Sequence, residues 1–423
     1  GSNRPAALDR MIGEPVWSGG TTAVQLRATQ GLSDVRLHLI DVSGGFGARR
    51  RALAAAALGL GGALPLAAPV LDAGAGQPAI LARRGWAQGM AHPRVAPEYG
   101  RVRLAFVHHT ENPNGYSPGE VPAMLRAIFL FHREVRGWND IGYNFVIDLY
   151  GRVFEARAGG IDEPVVGAQA GGYNLVSTGV AVLGSFISEP ISAAAKQALE
   201  RLLAWKLSLH GLPAQGRVTV QVNPAGASYS RFPANARVSL PRIAGHRDGD
   251  TTDCPGDALY GELPAIRPSV GRLARTPTRV TLALGAQAAP SGQGAAGAPA
   301  PTPTEGTPPA STSALDGSLA LLDGTPISGA PIVVQARSVS RRGEVVRERA
   351  IAQAVTDANG IWSLPLTISG SRGAEIWLRA LYAGGPGSVA GAAVSDPLQL
   401  PAAVLSFPQA PPPTPAAAAP PAT

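Results

Sequence analysis

From residue 276 to 315 the chain is almost wholly Pro, Thr, Ala and Gly, and no apolar period survives. A hydrophobic core cannot run through such a stretch, so whatever folds must fold on either side of it. Residues 43–76 form a second break of Gly, Ala and Pro, and the tail 404–423 is Pro/Ala-dominated. Gly (52) and Pro (39) together exceed a fifth of the 423 residues, in keeping with long linkers, while 45% hydrophobic content supplies ample material for cores. The expected organisation is therefore a β-rich segment over 1–42, a linker over 43–76, an α/β unit over 77–275, a linker over 276–315, a β-sandwich over 316–403 and an extended tail over 404–423.

Pattern within each piece supports that division. Val24–Arg27 and Val35–Ile40 alternate apolar and polar with period two, as strands do. Arg49-Arg50-Arg51 and the apolar run over 52–70 imitate a secretory signal, yet the run is internal and broken by Pro65; it reads as linker, and no membrane span is expected. In the α/β unit, Val102–Val107 reads as a strand that runs into His108-His109-Thr110. Ser117-Pro118-Gly119-Glu120 opens a helix as a capping box, and Gly137 closes it. Tyr143–Leu149, Arg152–Ala156, Gly179–Leu183 and Val218–Val222 read as strands, Ser192–His210 as a helix stopped by Gly211, and Ala258–Leu273 as a closing helix broken at Pro264. The expected fold is a mixed central β-sheet flanked by helices. Five period-two runs after residue 316, two of them joined by the turn Asp357–Gly360, give the sandwich.

The chemistry concentrates in Ala244–Gly256. This loop holds Cys254, the only cysteine, and His246, one of seven histidines, eight positions upstream. A lone cysteine makes no internal disulfide, and this one sits among Gly, Asp, Thr and Pro rather than in an apolar run. Imidazole plus thiolate suits zinc, but at least one ligand is missing. His108 supplies it best, because it ends a core strand, where a rigid element can aim a side chain. His108, His246 and Cys254 leave a fourth position to water, the pattern of catalytic rather than structural zinc.

These residues carry a resemblance. Phe106-Val-His-His-Thr110, Gly137-Trp-Asn-Asp-Ile-Gly-Tyr-Asn-Phe145, Gly171-Gly-Tyr-Asn174, Gly245-His-Arg-Asp248 and Asp253-Cys-Pro-Gly256 occur in the order and spacing of N-acetylmuramoyl-L-alanine amidases of the peptidoglycan-recognition-protein and phage-lysozyme type (amidase type 2). The likeness covers about Ile80 to Val270. It implies zinc on His108, His246 and Cys254, and catalytic partners at Tyr143 and Thr252. It further implies hydrolysis of the amide between the lactyl group of N-acetylmuramic acid and L-Ala of the stem peptide, by attack of zinc-bound hydroxide. The implied partner is peptidoglycan, the implied place the cell wall of a secreted protein; the flanking β-regions and linkers resemble those of secreted actinobacterial relatives. Gln169 departs from the family, many of whose members carry His there, and bears on substrate grip without removing a ligand.

Two other readings compete with zinc hydrolysis. A non-catalytic peptidoglycan-binding protein fits the motifs, but relatives of that kind lack the Cys ligand. A metal-free thiol hydrolase built on Cys254 and His246, with Asp248 or Asp250 orienting, leaves His108 unused. The charge of +7, nearly all of it arginine, favours polyanionic surroundings such as a cell wall. No basic run is interleaved with aromatics, which argues against nucleic acid.

Other conspicuous residues have simpler roles. His109 points away from His108 on an alternating strand. His132 is expected to be partly buried beside Phe129 and Phe131, and His38, His92 and His210 to be solvated. Glu155 is either a neighbour of the metal set or a surface carboxylate. Trp138 and Asn144 read as packing and loop-fixing residues, and Trp362 and Trp377 as sandwich core.

Overall fold

The computed structural model describes residues 77–273, 278–286, 311–339, 345–369, 376–384, 393–400 and 404–407; the expected N-terminal strands and first linker lie outside the described residues. The first unit is built on β1 (Ile80–Leu81), β2 (Leu104–His109), β3 (Phe145–Ile147), β4 (Val153–Glu155), β5 (Ser177–Val182) and β8 (Ile243–Gly245). They form one mixed sheet in the order β1-β4-β3-β5-β2-β8, with only β3 and β4 antiparallel. A separate hairpin joins β6 (Arg217–Gln221) to β7 (Arg237–Pro241). The helices are α1 (Arg83–Ala87), α2 (Val121–Leu130, continued by a π-turn over Phe131–Val135), α3 (Ala193–Leu209), α4 (His246–Gly249) and α5 (Asp257–Leu273).

Strand β2 is buried at all six positions and has parallel neighbours on both edges, which is why its sequence is a continuous apolar run before the histidines. Its two faces look into different cores. Ala105 and Val107 meet the leucine stripe of α3 (Leu199, Leu202, Leu203, Leu207) and the buried face of α5. Each such leucine contributes roughly 1.5–3 kcal/mol. Leu104 and Phe106 face the β6–β7 hairpin, while α2 covers Val146, Phe154 and Ala181 farther along the same side. His108 pairs with Ala181, and Ala181 with Val146, so its side chain emerges on that second side, where α2 and the hairpin meet.

Local signals act as their chemistry requires, with shifted boundaries. The Glu120 carboxylate accepts the Ser117 N–H and hydroxyl, both at 2.8 Å, yet the regular helix starts only at Val121. Ser192 caps α3 by accepting the Ala195 N–H at 3.1 Å. Helix α5 is not broken at Pro264: it runs through Pro264 and Pro268, held by Leu259, Leu263, Ile266 and Val270, which are wholly buried.

The second unit is a β-sandwich. One sheet contains β10 (Ala283–Ala286), β11 (Ser311–Leu321), β14 (Ile361–Ser369) and β18 (Val404–Ser406), with β9 (Thr278–Val280) also on β11. The other contains β12 (Pro331–Val339), β13 (Val345–Val355), β15 (Ile376–Tyr382), β16 (Ala393–Val394) and β17 (Leu398–Leu400). Trp362 lies in its core as expected. Strands β9 and β10 fall inside the stretch whose composition reads as linker, and β18 inside the expected tail; Thr278 and Val280 are buried, so the sandwich begins earlier than composition suggests.

The units are docked. Val394 of β16 belongs to the same core as α3, and Trp377, rather than filling the sandwich, packs its ring 5.4 Å from that of Tyr99. Between them Arg337 donates to Glu163 at 2.8 Å and Asp162 at 3.2 Å, while Arg379 donates to Glu163 at 3.0 Å and also to Asp162. Lys206 of α3 adds hydrogen bonds to the carbonyls of Ile161 (2.7 Å) and Glu163 (2.8 Å), and burial brings its ammonium down to about 7. Burial drives the Asp162 carboxyl up, but Arg379 and Arg337 more than reverse this and hold it well below the usual range. Removing one partner of such a group strands a buried charge. Arg379→Met is expected to lower unfolding stability by about 3–5 kcal/mol in chemical denaturation. A change within a few tenths of a kcal/mol would show that the docked arrangement does not persist in solution.

Candidate metal centre

His108 ends β2, His246 opens α4 directly after β8, and Cys254 follows in the next loop. Because β2 and β8 are parallel neighbours, both histidines leave the sheet at the same end. Gly256 then lets the loop close: its φ is +86°, and a Cβ there would lie 2.2 Å from the Phe186 carbonyl oxygen. One ligand atom each from His108, His246 and Cys254 falls within 4.8 Å of the others. The two imidazole centroids are 4.4 Å apart, and Cys254 Sγ is 3.7 Å from His108 Nδ1. Zinc bonds of about 2.0–2.1 Å to nitrogen and 2.3 Å to sulfur, set at tetrahedral angles, place ligand atoms about 3.3–3.7 Å apart. The nitrogen–sulfur separation of 3.7 Å matches that spacing, and the donor types suit the ion.

Hydrogen bonds behind the ligands make the stronger test. His108 Nε2 lies 2.5 Å from Gln169 Oε1, and an amide oxygen only accepts, so Nε2 carries the proton and Nδ1 keeps its lone pair. His246 Nε2 likewise donates to Asp250 Oδ2 at 3.0 Å, while Asp250 is itself held by the Gly171 N–H at 2.6 Å. Both imidazoles are thus anchored at Nε2 and present Nδ1, the second-layer arrangement a metal ligand needs. Burial first, and then His246, keep the His108 imidazole far below its ordinary pKa and therefore neutral. The Cys254 sulfur accepts the His109 N–H at 3.4 Å, which holds it beside the strand that carries His108.

Tyr143, 9% exposed, stands with its ring 5.3 Å from His108, and Thr252, half-buried, accepts the Cys254 N–H at 3.2 Å. His132 is buried rather than partly so. It accepts the Gly142 N–H at 3.2 Å, stacks 4.6 Å from Trp138 and meets Tyr143 edge-on at 5.6 Å. Asn144 is a loop-fixing residue, accepting the Gly179 N–H at 2.8 Å and donating to the Val165 carbonyl at 2.8 Å. Other assignments change. Gln169 lies behind His108 and acts through it. Glu155 is not committed to the metal set: its carboxylate accepts the Arg83 N–H at 3.0 Å, at the start of α1. His109 faces the other core, with Glu111 3.3 Å away. His210 is half-buried at the end of α3 rather than solvated. Asp248 accepts from Gly245 N–H (2.9 Å) and Tyr260 O–H (2.6 Å), fixing the turn into α4.

A mixed sheet carrying two imidazoles and a thiol at one end defines the class of domain. Residues 98–257 match the model of the N-acetylmuramoyl-L-alanine amidase family. The N-acetylmuramoyl-L-alanine amidase of Sus scrofa is 31% identical over 44% of this chain and 27% of its own length. Peptidoglycan-recognition protein LE of Drosophila melanogaster is 32% identical over 30% of this chain and 35% of its own length. The chain thus spans about a third or less of these two relatives. Peptidoglycan-recognition protein LB of Drosophila melanogaster is 28% identical over 44% of this chain and 67% of its own length. Among solved structures, wild-type Drosophila PGRP-LB aligns with 26% identity over 44% of this chain and 92% of its own, at a TM-score of 0.34.

The layer behind the ligands can be tested at two residues. Gln169→Leu removes the acceptor of the His108 proton and is expected to weaken zinc binding about 10- to 100-fold in chelator competition, with the fold retained. Unchanged affinity would mean that His108 is oriented by packing alone. Burial, then Arg136 and Arg157, lower His132 to about 3, below its ordinary 6.5. Between those values the unfolded chain binds the proton that the folded chain refuses, so stability present above pH 6.5 is lost as pH falls, at up to about 1.4 kcal/mol per unit. His132→Phe should make this acid slope shallower by about one proton in denaturation curves at about pH 6 and pH 4.5. An unaltered slope would show His132 to be protonated in the fold.

Proposed function

We propose that this chain is a zinc-dependent N-acetylmuramoyl-L-alanine amidase, secreted and acting on peptidoglycan at the cell wall. The observation that carries the reading is the convergence of His108, His246 and Cys254 within 4.8 Å, with each imidazole held at Nε2 by Gln169 or Asp250. The match of residues 98–257 to the amidase family model and likeness to peptidoglycan-recognition proteins support the substrate. A binding-only protein needs none of this ligand set, so Cys254 favours hydrolysis. No helix among the described residues is long and apolar enough to cross a membrane.

Zinc held by His108, His246 and Cys254 would supply Lewis-acid polarisation of a carbonyl and a water whose pKa is brought to roughly 7. The reaction adds water to the lactyl carbonyl carbon and breaks its bond to nitrogen. The leaving nitrogen takes a proton that originates in that water, so a carboxylate and a free L-Ala amine result. Tyr143, whose ring lies 5.3 Å from that of His108, would donate from its phenol to the carbonyl oxygen as negative charge builds. Thr252 accepts the Cys254 N–H with its oxygen, which leaves its own proton to donate towards substrate. Phenol and alcohol do not titrate near neutrality in their free forms, so both act as hydrogen-bond donors rather than bases. His132 and Trp138 back the Tyr143 ring.

Purified peptidoglycan treated with the protein should yield stem peptides with a new N-terminal L-Ala and no new reducing ends. Activity should vanish with a chelator and return with zinc. Tyr143→Phe and Thr252→Val should keep zinc and slow turnover, by about 100- to 1,000-fold where the donor is central. Tight binding to peptidoglycan without any cleavage product would turn the reading to a recognition protein, and new reducing ends without free L-Ala would sink the amidase.

A further inference from the structure

At the opposite ends of the same strands lies a second, differently built site. Arg101 and Arg103 lead into β2 and Arg242 leads into β8. There the two units enclose a cleft of about 980 Å³, whose wall also carries Arg279 from β9, His210 from the end of α3, and Asp396. Five residue-to-residue steps along the strand take Arg103 to His108, about 17 Å at the usual rise, so the cleft is distinct from the metal set.

Its charge is unbalanced. Asp396 is the one carboxylate among the described lining residues, and it lies 3.8 Å from Arg101. Three guanidiniums therefore face the cleft with no acid on its wall to answer them. Arg242 is pinned beside Arg103 by its Nη1 hydrogen bond to the Arg103 carbonyl, 2.7 Å long. Burial, and after it the Arg103 charge, lower the Arg242 pKa, which reports like charges held together. Arg242 Nε and His210 Nε2 are both buried without a hydrogen-bond partner among the described residues. An orphaned guanidinium N–H beside unpaired like charges in one cleft costs free energy unless an acceptor enters.

We propose that this cleft between the two units binds a polyvalent oxyanion of the phosphate class, free or as phosphodiesters of an anionic polymer. Guanidinium forks match phosphate oxygens in pairs, and several arginines are answered better by a multiply charged anion than by a single carboxylate. The volume suits a diphosphate or a few repeats of a chain. No Phe, Tyr or Trp lines the cleft among the described residues, so it lacks the stacking platform that single-stranded nucleic acid uses. Because Arg279 comes from the sandwich and Arg103 and Arg242 from the amidase unit, the anion would tie the units together.

The test uses the full chain with pyrophosphate, tripolyphosphate, poly(glycerol phosphate) and a single-stranded oligonucleotide, followed by calorimetry and thermal shift. Pyrophosphate and tripolyphosphate should bind and raise the melting temperature, with affinity falling as salt rises. The double substitution Arg103→Gln/Arg279→Gln alters two exposed side chains and should weaken binding about tenfold or more while leaving zinc content and amidase turnover unchanged. Competition between poly(glycerol phosphate) and pyrophosphate would support a wall-polymer source, and pyrophosphate binding without competition a free anion. No binding by any phosphate compound, binding unaffected by the double substitution, or binding of the oligonucleotide alone would each overturn the proposal. None of these readouts depends on hydrolysis, so failure here leaves the amidase reading standing.

Discussion

The immobility of β2 underlies everything the domain offers. It is buried at every position, flanked by parallel partners on both edges and packed on both faces by separate cores. A one-residue slip would exchange His108 for His109 and point the wrong imidazole at Cys254. Such a slip would also bring Ala105 and Val107 out of the α3 core, so packing of ordinary apolar residues sets which histidine stands beside His246 and Cys254. The same register fixes His246, since β8 can only follow β2.

Much of this was legible in the residues. Apolar runs of period two and helical stripes bounded by Gly and Ser located most elements, because burial and capping act over a few residues. One cysteine and a strand-ending histidine leave few alternatives, and the structure brings His108, His246 and Cys254 together. What escaped was set by contacts distant in sequence. Strand β7 offers only Val238 and Leu240 as an apolar face and follows a Pro- and Asn-containing stretch, so its period-two signal is too short to stand out. Pro264 reads as a breaker until the buried stripe around it is seen.

The layer behind the ligands shows the same limit. Asp250 stands four residues after His246 on a helical turn, a spacing that hints at the contact. Gln169 gives no such hint: it is 61 positions from His108 and lies in an irregular loop. Its place depends on Gly179, where a Cβ would fall 2.4 Å from Gln169 Cγ. A glycine that reads as ordinary strand thus makes room for the side chain that sets a tautomer. Trp377 is a parallel case: alternation tells which side of a strand it occupies but not that Tyr99 of another unit waits there.

The docked sandwich has a geometric consequence. Charged groups from both units are buried together at the seam, and Val394 enters the core of its neighbour. A joint closed by buried charge resists hinging, because opening it exposes groups that are stable only as a set. The contacts at the seam join the two units side to side rather than through the intervening chain alone. Whatever the sandwich carries therefore stands in a set place relative to His108, His246 and Cys254, and the seam decides that place.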